Sequence, residues 1–204
     1  MRLEKFNENN FNQNNILFIT GISGSGKSTL AYDIADKIDA DVISLDWYYD
    51  NLDFQEHADL MCDRFNKYLE EHLPEIFDIE DNFEYYEEER FHADDGSEAG
   101  IFYWEVMDRF SELIKDFAKQ NPMPVIVEGL QIYDSTIPNN LEYFKDQALY
   151  VIYGDVERCA KRIIDRDDLT ISKDDVMCKL THQSNILDRF VYRLKSKIKE
   201  NNRD

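Results

Sequence analysis

Gly21-Ile-Ser-Gly-Ser-Gly-Lys-Ser28 fits the pattern G-x-x-x-x-G-K-S/T at every position. An apolar run rich in β-forming residues, Ile16 to Thr20, precedes this segment, and apolar residues at helical spacing follow it from Thr29 to Ile38. Glycines allow consecutive backbone N–H groups to turn inward around a phosphate, and the N-terminus of the next helix adds the positive end of its dipole. The sequence therefore predicts a phosphate-binding loop between a buried strand and a helix.

The side chains of this loop suit a nucleoside triphosphate. The Lys27 ammonium group can reach the β- and γ-phosphate oxygens, and the Ser28 hydroxyl is a ligand for Mg²⁺. We therefore predict ATP and Mg²⁺ as the cofactors. The other predicted nucleotide-binding residues belong to the loop and to the first helical turn: Gly21, Ser23, Gly24, Ser25, Gly26 and Thr29.

Strands alternate with helices through the rest of the chain. This alternation predicts a parallel sheet with helices on both faces. We expect a single domain over residues 1–204, a three-layer α/β/α fold of the P-loop NTPase class with about four to five strands. Residues 1–15, which include six Asn, are expected to be a solvated tail. The further predicted strands are 42–45, 125–127 and 148–153, and the further predicted helices are 102–117, 155–166 and 174–200.

Two carboxylates are predicted at the ends of strands. Asp46 follows the second predicted strand, and Glu128 ends the third. If both strands flank the first, both carboxylates face the γ-phosphate, because ligands of parallel α/β sheets bind at the carboxyl ends of the strands. One carboxylate can accept the proton of an attacking hydroxyl, and another can hold Mg²⁺. Ser28, Asp46 and Glu128 are therefore the candidate metal ligands, and Lys27 and Asp46 are candidate catalytic residues.

An acidic segment separates the second predicted strand from the third. Residues 50–100 hold 18 Asp and Glu against three Lys and Arg, so a charge of −15 out of the chain's −20 falls in one quarter of its length. We predict a helical, acceptor-binding insertion over residues 50–120, with a surface loop or lid at 75–100. Its charge favours a neutral or cationic acceptor. One helical face there is predicted from Met61, Phe65, Tyr68, Leu69 and Leu73.

Three motifs together resemble the uridine kinase and phosphoribulokinase group of P-loop kinases. The resemblance covers residues 16–49 and 123–167, a little under half of the chain. It implies that Asp46 is the catalytic base, that Tyr48 and Tyr49 line the acceptor pocket, and that Glu128 lies near the metal. The motifs are the phosphate loop, Ser44-Leu-Asp-Trp-Tyr-Tyr49, and Val125-Ile-Val-Glu-Gly129 with the Tyr133-Asp134 pair that follows it.

The helix predicted after the last strand is basic on one face, with Arg158, Lys161, Arg162 and Arg166 at i, i+3, i+4 and i+8. Arg side chains that close over a γ-phosphoryl group stabilise the charge of its transition state. In the resembling kinases this segment is an Arg-rich lid. Residues 155–172 are therefore the predicted lid region, with Arg162 and Arg166 as candidate catalytic residues and Arg158 as a weaker nucleotide-binding candidate.

Two features depart from those kinases. Asp167 and Asp168 follow the basic helix where the resembling kinases carry a further Arg-rich stretch. The chain also finishes in a long helix, where they carry a fifth strand near the end. Both departures concern the acceptor rather than the ATP chemistry.

Together these features predict a cytoplasmic, ATP-dependent kinase of a small molecule, similar to nucleoside kinases. A net charge of −20 argues against non-specific binding to nucleic acid or to an anionic membrane surface. No apolar run approaches the roughly twenty residues of a membrane-spanning helix. The sequence leaves open a nucleotide or sugar-nucleotide (toxin-type) kinase, an ATP-binding regulator whose acidic segment docks a basic partner, and a homodimer.

Overall fold

The structure is a computed structural model, and it describes residues 2–45, 62–73, 109, 112–133, 140–167 and 172–201. Its strands are β1 (Arg2–Phe6), β2 (Ile16–Gly21), β3 (Asp41–Ser44), β4 (Val125–Glu128) and β5 (Ala148–Tyr153). They form one sheet in the order β1-β5-β2-β4-β3. β2 pairs in parallel with β4 and β5, and β3 pairs in parallel with β4. The chain has the predicted P-loop NTPase α/β fold.

The sheet brings the carboxyl ends of its parallel strands to one edge. Glu128 at the end of β4 lies opposite Ile19 of β2 and Ser44 of β3. Gly21 at the end of β2 lies opposite Ile152 of β5. The phosphate loop, the end of β3 and the end of β4 are therefore neighbours, as the sequence predicted.

β2 is the central strand of the sheet, and helices cover both of its faces. All six of its residues are buried. Leu17 and Ile19 belong to the apolar cluster on one face, together with Ala31 and Ala35 of the helix that follows the loop. Phe18 belongs to the larger cluster on the opposite face. Successive side chains of β2 therefore point to opposite faces of the sheet, as in any strand. Because helices pack on both faces, the molecule has three layers, α/β/α.

The helices of the described residues divide between these two faces. Their bounds are α1 (Phe11–Asn14), α2 (Lys27–Ile38), α3 (Asp63–His72), α4 (112–120), α5 (Asn140–Phe144), α6 (Val156–Asp167) and α7 (Lys173–Asn201). α2 covers the first face, and apolar residues of α3 to α7 enter the cluster on the other. Within the described ranges, none of these helices is long and apolar enough to cross a bilayer.

Of the insertion predicted over residues 50–120, the structure describes residues 62–73, 109 and 112–120, which include α3 and α4. Phe65, Leu69 and Leu73 are fully buried, which confirms the apolar face predicted for this segment. Met61 and the loop predicted at 75–100 lie outside the described residues. The division of the domain into tail, insertion and lid remains a prediction wherever it falls on such residues.

The N-terminus differs from the solvated tail that was predicted for residues 1–15. Residues 2–6 form β1, which pairs antiparallel with β5, and a 3-10 helix (Glu8–Asn10) and α1 lead into β2. The prediction was wrong because only Phe6 of β1 is buried, so the strand has almost no apolar pattern. Backbone pairing holds it, and Asn7 and Asn10 donate side-chain hydrogen bonds to the carbonyls of Lys145, Asp146 and Gln147.

Candidate nucleotide-binding site

The phosphate loop turns sharply between β2 and α2. Gly24 and Gly26 have φ angles of 71° and 95°, values that L side chains avoid because Cβ crowds the backbone. The Ser25 amide donates to the Ile22 carbonyl at 3.1 Å. Gly26 is the N-cap of α2, and Lys27 is its first residue. The loop therefore ends on the helix N-terminus, where the positive end of the helix dipole favours an anion.

Lys27 and Ser28 occupy the first turn of α2. Lys27 is only 5% exposed. Removal of its ammonium group from bulk water strengthens its attraction to a phosphate. Ser28 and Thr29 are exposed beside it, so these predicted nucleotide-binding residues lie together at one end of the helix.

Glu128 joins the loop to two neighbouring strands. Its carboxylate is completely buried. One oxygen, Oε1, accepts hydrogen bonds from the Ser28 hydroxyl at 3.0 Å and from the Ser44 hydroxyl at 2.5 Å. A buried carboxylate is costly unless such donors compensate it. Ser28 and Glu128, two of the predicted metal ligands, are therefore in direct contact.

The ends of β2 and β4 are held together by further hydrogen bonds. The buried Thr20 hydroxyl donates to the Gly129 carbonyl at 2.7 Å, and the Gly129 amide donates to the Ile19 carbonyl at 3.2 Å. These contacts fix the chain that follows Glu128 against the start of the loop. The carboxylate consequently has little freedom to move relative to Ser28.

This donor set suits Mg²⁺. Mg²⁺ prefers hard oxygen ligands such as carboxylates and hydroxyls, and it commonly binds through one or two carboxylates together with phosphate oxygens. The Ser28 hydroxyl and the Glu128 carboxylate are such ligands, and they meet beside the phosphate loop. Asp46, the third predicted ligand, lies outside the described residues, as do Tyr48 and Tyr49.

α6 lies against the outer side of the phosphate loop. Asp155 caps the helix by accepting the Arg158 amide at 2.9 Å. Arg162 donates from Nη1 to the Gly24 carbonyl at 3.0 Å, so the predicted catalytic Arg162 lies at the loop. Arg158 and Arg166 are exposed on the same helix. Residues 168–171 of the predicted lid lie outside the described residues.

Two polar contacts of the site were missed by the sequence reasoning. Ser44 belongs to one of the three motifs, but the sequence predicts no role for it. Gln183 of α7 accepts a hydrogen bond from the Ser23 amide at 3.0 Å, a contact that the sequence analysis did not predict. A signal for Gln183 was present in the sequence. It falls at the spacing of the apolar stripe of the last helix, between Leu180 and Leu187, where a polar side chain needs a partner.

Comparison with known proteins does not assign a family. No protein-family model matches the chain, and no curated protein matches it. Among solved structures the chain is similar to shikimate kinase from Acinetobacter baumannii in complex with shikimate, with 15% sequence identity and a TM-score of 0.42. That similarity covers 92% of this chain and 83% of that chain. At this level the similarity assigns neither a family nor a substrate, and the fold rests on the sheet order and on the loop at the end of β2.

Proposed function

We propose that the chain is an ATP-dependent phosphotransferase that moves the γ-phosphoryl group of ATP to a hydroxyl of a small molecule. The observation that carries the proposal is the contact between the Ser28 hydroxyl and the buried Glu128 carboxylate at the mouth of the phosphate loop. In P-loop enzymes a loop Ser or Thr and a strand-end acid hold the Mg²⁺ of the bound nucleotide. Here the same two groups meet beside a glycine-rich turn.

The loop binds the triphosphate with its backbone amides, with the N-terminus of α2 and with Lys27. Ser28 and Glu128 hold Mg²⁺, which neutralises charge on the β- and γ-phosphates when bound. The Ser44 hydroxyl, by donating to the same Glu128 oxygen as Ser28 does, fixes the orientation of that carboxylate. The positive groups act in a site partly removed from water, where their interaction with phosphate is strong.

In the transfer step, the acceptor hydroxyl oxygen forms a bond to the γ-phosphorus while the bond from that phosphorus to the β–γ bridging oxygen breaks. ADP leaves with the electron pair of that bond. The hydroxyl proton passes to the Asp46 carboxylate, the role that the resemblance to uridine kinases implies. Arg162, which already touches the loop at Gly24, and Arg166 stabilise the charge on the transferred group.

The acceptor that this proposal favours is neutral or cationic, such as a nucleoside or another hydroxyl-bearing metabolite. Residues 50–100 hold 18 acidic against three basic side chains, so this segment carries a strongly negative charge. An acceptor that already carries a phosphate would meet repulsion there, because phosphate groups are recognised chiefly by Arg and Lys.

An untargeted assay tests the activity. The protein is incubated with ATP, Mg²⁺ and a deproteinised cell extract, and mass spectrometry identifies any metabolite that gains one phosphoryl group. We expect such a product with the wild-type protein and none with Lys27→Ala, which lacks the ammonium group that binds the phosphates. If the wild-type protein binds ATP but yields no phosphorylated product, the result would favour the ATP-binding regulator instead. If the wild-type protein does not bind ATP at all, the proposal is refuted.

The variant Asp46→Asn tests the assigned base once an acceptor is known. We expect the rate of transfer to fall by roughly 100-fold or more, since general bases contribute about 10²- to 10⁴-fold, while the affinity for ATP is retained. Asp33→Asn, an exposed acid on α2, is the matched control. Normal turnover of Asp46→Asn would show that Asp46 is not the base.

A further inference from the structure

A side chain from the C-terminal helix reaches the phosphate loop. The Gln183 carboxamide oxygen accepts a hydrogen bond from the Ser23 amide at 3.0 Å, across 160 residues of sequence. Gln183 is 7% exposed. The contact therefore joins the first half of the loop to a buried side chain of α7.

The buried face of α7 fixes the position of this carboxamide. Leu180 and Leu187, one turn before and one turn after Gln183, are each 1% exposed. Apolar packing on both sides limits the rotamers of the glutamine, and burial of an amide group is costly unless it is hydrogen-bonded. Both effects favour the one arrangement in which Gln183 accepts the Ser23 N–H group.

The next residue of the loop is also held from outside. The Gly24 carbonyl accepts a hydrogen bond from the Arg162 guanidinium. A Cβ atom at Gly24 would lie 2.8 Å from the carbonyl oxygen of Cys159. The backbone of α6 thus packs directly on the loop. Two helices therefore brace the Ser23–Gly24 segment, one at its amide and one at its carbonyl.

We propose that Gln183 is a positioning residue for the phosphate loop. By holding the Ser23 amide, it fixes the start of the loop and so orders the backbone that leads to the N-terminus of α2 before the nucleotide arrives. A loop that is already ordered loses less conformational freedom on binding, and its donors need no rearrangement. This inference rests on the proposed function and adds a residue to the same site.

The variant Gln183→Met separates this role from simple packing, because methionine is close to glutamine in size and cannot accept the hydrogen bond well. We expect the dissociation constant for ATP with Mg²⁺ to rise roughly 3- to 10-fold, the effect of one hydrogen bond. In ¹H–¹⁵N spectra of the protein without nucleotide, the Ser23 amide proton should shift upfield. Val191→Ala, two turns away in the same buried face, is the control for loosened packing of α7.

The two variants give opposite patterns if the inference is correct. Val191→Ala should lower the melting temperature while the affinity for ATP and the Ser23 resonance stay unchanged. Gln183→Met should weaken ATP binding and shift the Ser23 resonance while the melting temperature stays close to that of the wild type. Equal affinity of Gln183→Met and the wild type would overturn the inference, as would an equal loss of affinity in Val191→Ala. If the wild type binds no ATP, the proposed function fails first and this inference fails with it.

Discussion

Glu128 is the residue on which the proposed chemistry depends most. Its carboxylate is fully buried, yet it accepts hydrogen bonds from two hydroxyls on different elements. In the proposed function this charge serves the metal, and an uncharged side chain of the same shape would be cheaper to bury. A substitution that removes the charge of Glu128 but keeps its shape can therefore separate metal binding from the residue's part in packing.

Glu128→Gln keeps the volume and one accepting oxygen but removes the negative charge. We expect the affinity of the ATP complex for Mg²⁺ to fall by roughly 10- to 100-fold, with a melting temperature equal to that of the wild type or higher. A Mg²⁺ titration of ATP binding measures the effect, and Asp33→Asn, which removes an exposed negative charge on α2, is the control. Unchanged Mg²⁺ dependence in Glu128→Gln would exclude the metal role.

Gly24 and Gly26 form a matched pair within the loop. Both have positive φ angles, but a Cβ at Gly26 meets nothing within 4 Å, whereas a Cβ at Gly24 meets the Cys159 backbone. We expect Gly26→Ala to lose about 1–2 kcal/mol of unfolding free energy through backbone strain alone. Gly24→Ala should lose more and should also weaken ATP binding, because α6 must move. Urea denaturation of both variants tests the order, and the reverse order would contradict the packing of α6 on the loop.

The three cysteines should differ in reactivity. Cys62 and Cys159 are buried, whereas Cys178 is exposed. Burial raises the pKa of the Cys62 thiol to about 11 and also raises the pKa of Cys159, so both thiols remain protonated and unreactive at neutral pH.

We expect iodoacetamide to label Cys178 alone in the folded protein at pH 7, and to leave Cys62 unlabelled at pH 9. Cys62 stays protonated over this range, since its pKa lies above 9 when the protein is folded. Peptide mass spectrometry identifies the labelled site, and protein unfolded in urea, which should be labelled at all three cysteines, is the control. Rapid labelling of Cys62 at pH 7 would mean that its environment is open.

At the scale of elements, Asn15 connects β2 to the segment that leads into β4. Its side-chain amide lies 3.0 to 3.2 Å from three carbonyls at the end of α4 and in the following turn. Its own carbonyl accepts the Val125 amide at 2.9 Å, and its φ angle is 56°. One residue therefore ends α4, begins the pairing of two central strands and turns the chain.

Substitutions at Asn15 should separate these contributions. Asn15→Gly tolerates the positive φ angle and loses only the side-chain hydrogen bonds, so we expect a loss of about 1–3 kcal/mol in unfolding free energy. Asn15→Ala adds backbone strain of about 1–2 kcal/mol. Denaturant unfolding measures both, with Asn12→Ala at an exposed position as the control. A smaller loss for alanine than for glycine would show that the positive φ angle costs nothing.

α7 links distant parts of the molecule. Gln183 contacts the phosphate loop, and Lys195 lies 2.5 Å from Glu4 of the edge strand β1. These two residues are 12 positions apart, about 18 Å along a helix. The helix therefore spans from the ligand edge of the sheet to the added antiparallel strand, which occupies the edge next to β5.

For the whole molecule, the large net negative charge should make the thermal stability depend on salt concentration. The chain carries −20, and its repulsion is weakly screened at low ionic strength. We expect the melting temperature to rise by a few degrees as NaCl increases from about 10 mM to about 150 mM, because the Debye length shortens from about 30 Å to about 8 Å. Tetramethylammonium chloride should give the same rise, since the effect is screening and not specific binding. A fall in melting temperature would mean that favourable ion pairs outweigh the repulsion.

Local patterns were sufficient for the elements that carry strong sequence signals. The apolar runs at 148–153 and 125–127 lie within β5 and β4, and the glycine pattern correctly marks the turn into α2. β1 could not be predicted this way, because an edge strand held by backbone pairing and by Asn side chains needs no apolar alternation. The parts of the candidate site that include Asp46 and the acceptor remain predictions.

The sequence by itself determined the phosphate loop, its place between strand and helix, and the acid at the end of β4, because each of these depends on residues close together in the chain. Only the tertiary structure decided which distant groups meet there. Strand order placed Ser44 on the same carboxylate oxygen as Ser28, and helix packing brought Gln183 and Arg162 to the loop. Contacts across about 80 to 160 residues depend on how layers pack, and packing arises from the summed burial of many side chains rather than from any local pattern.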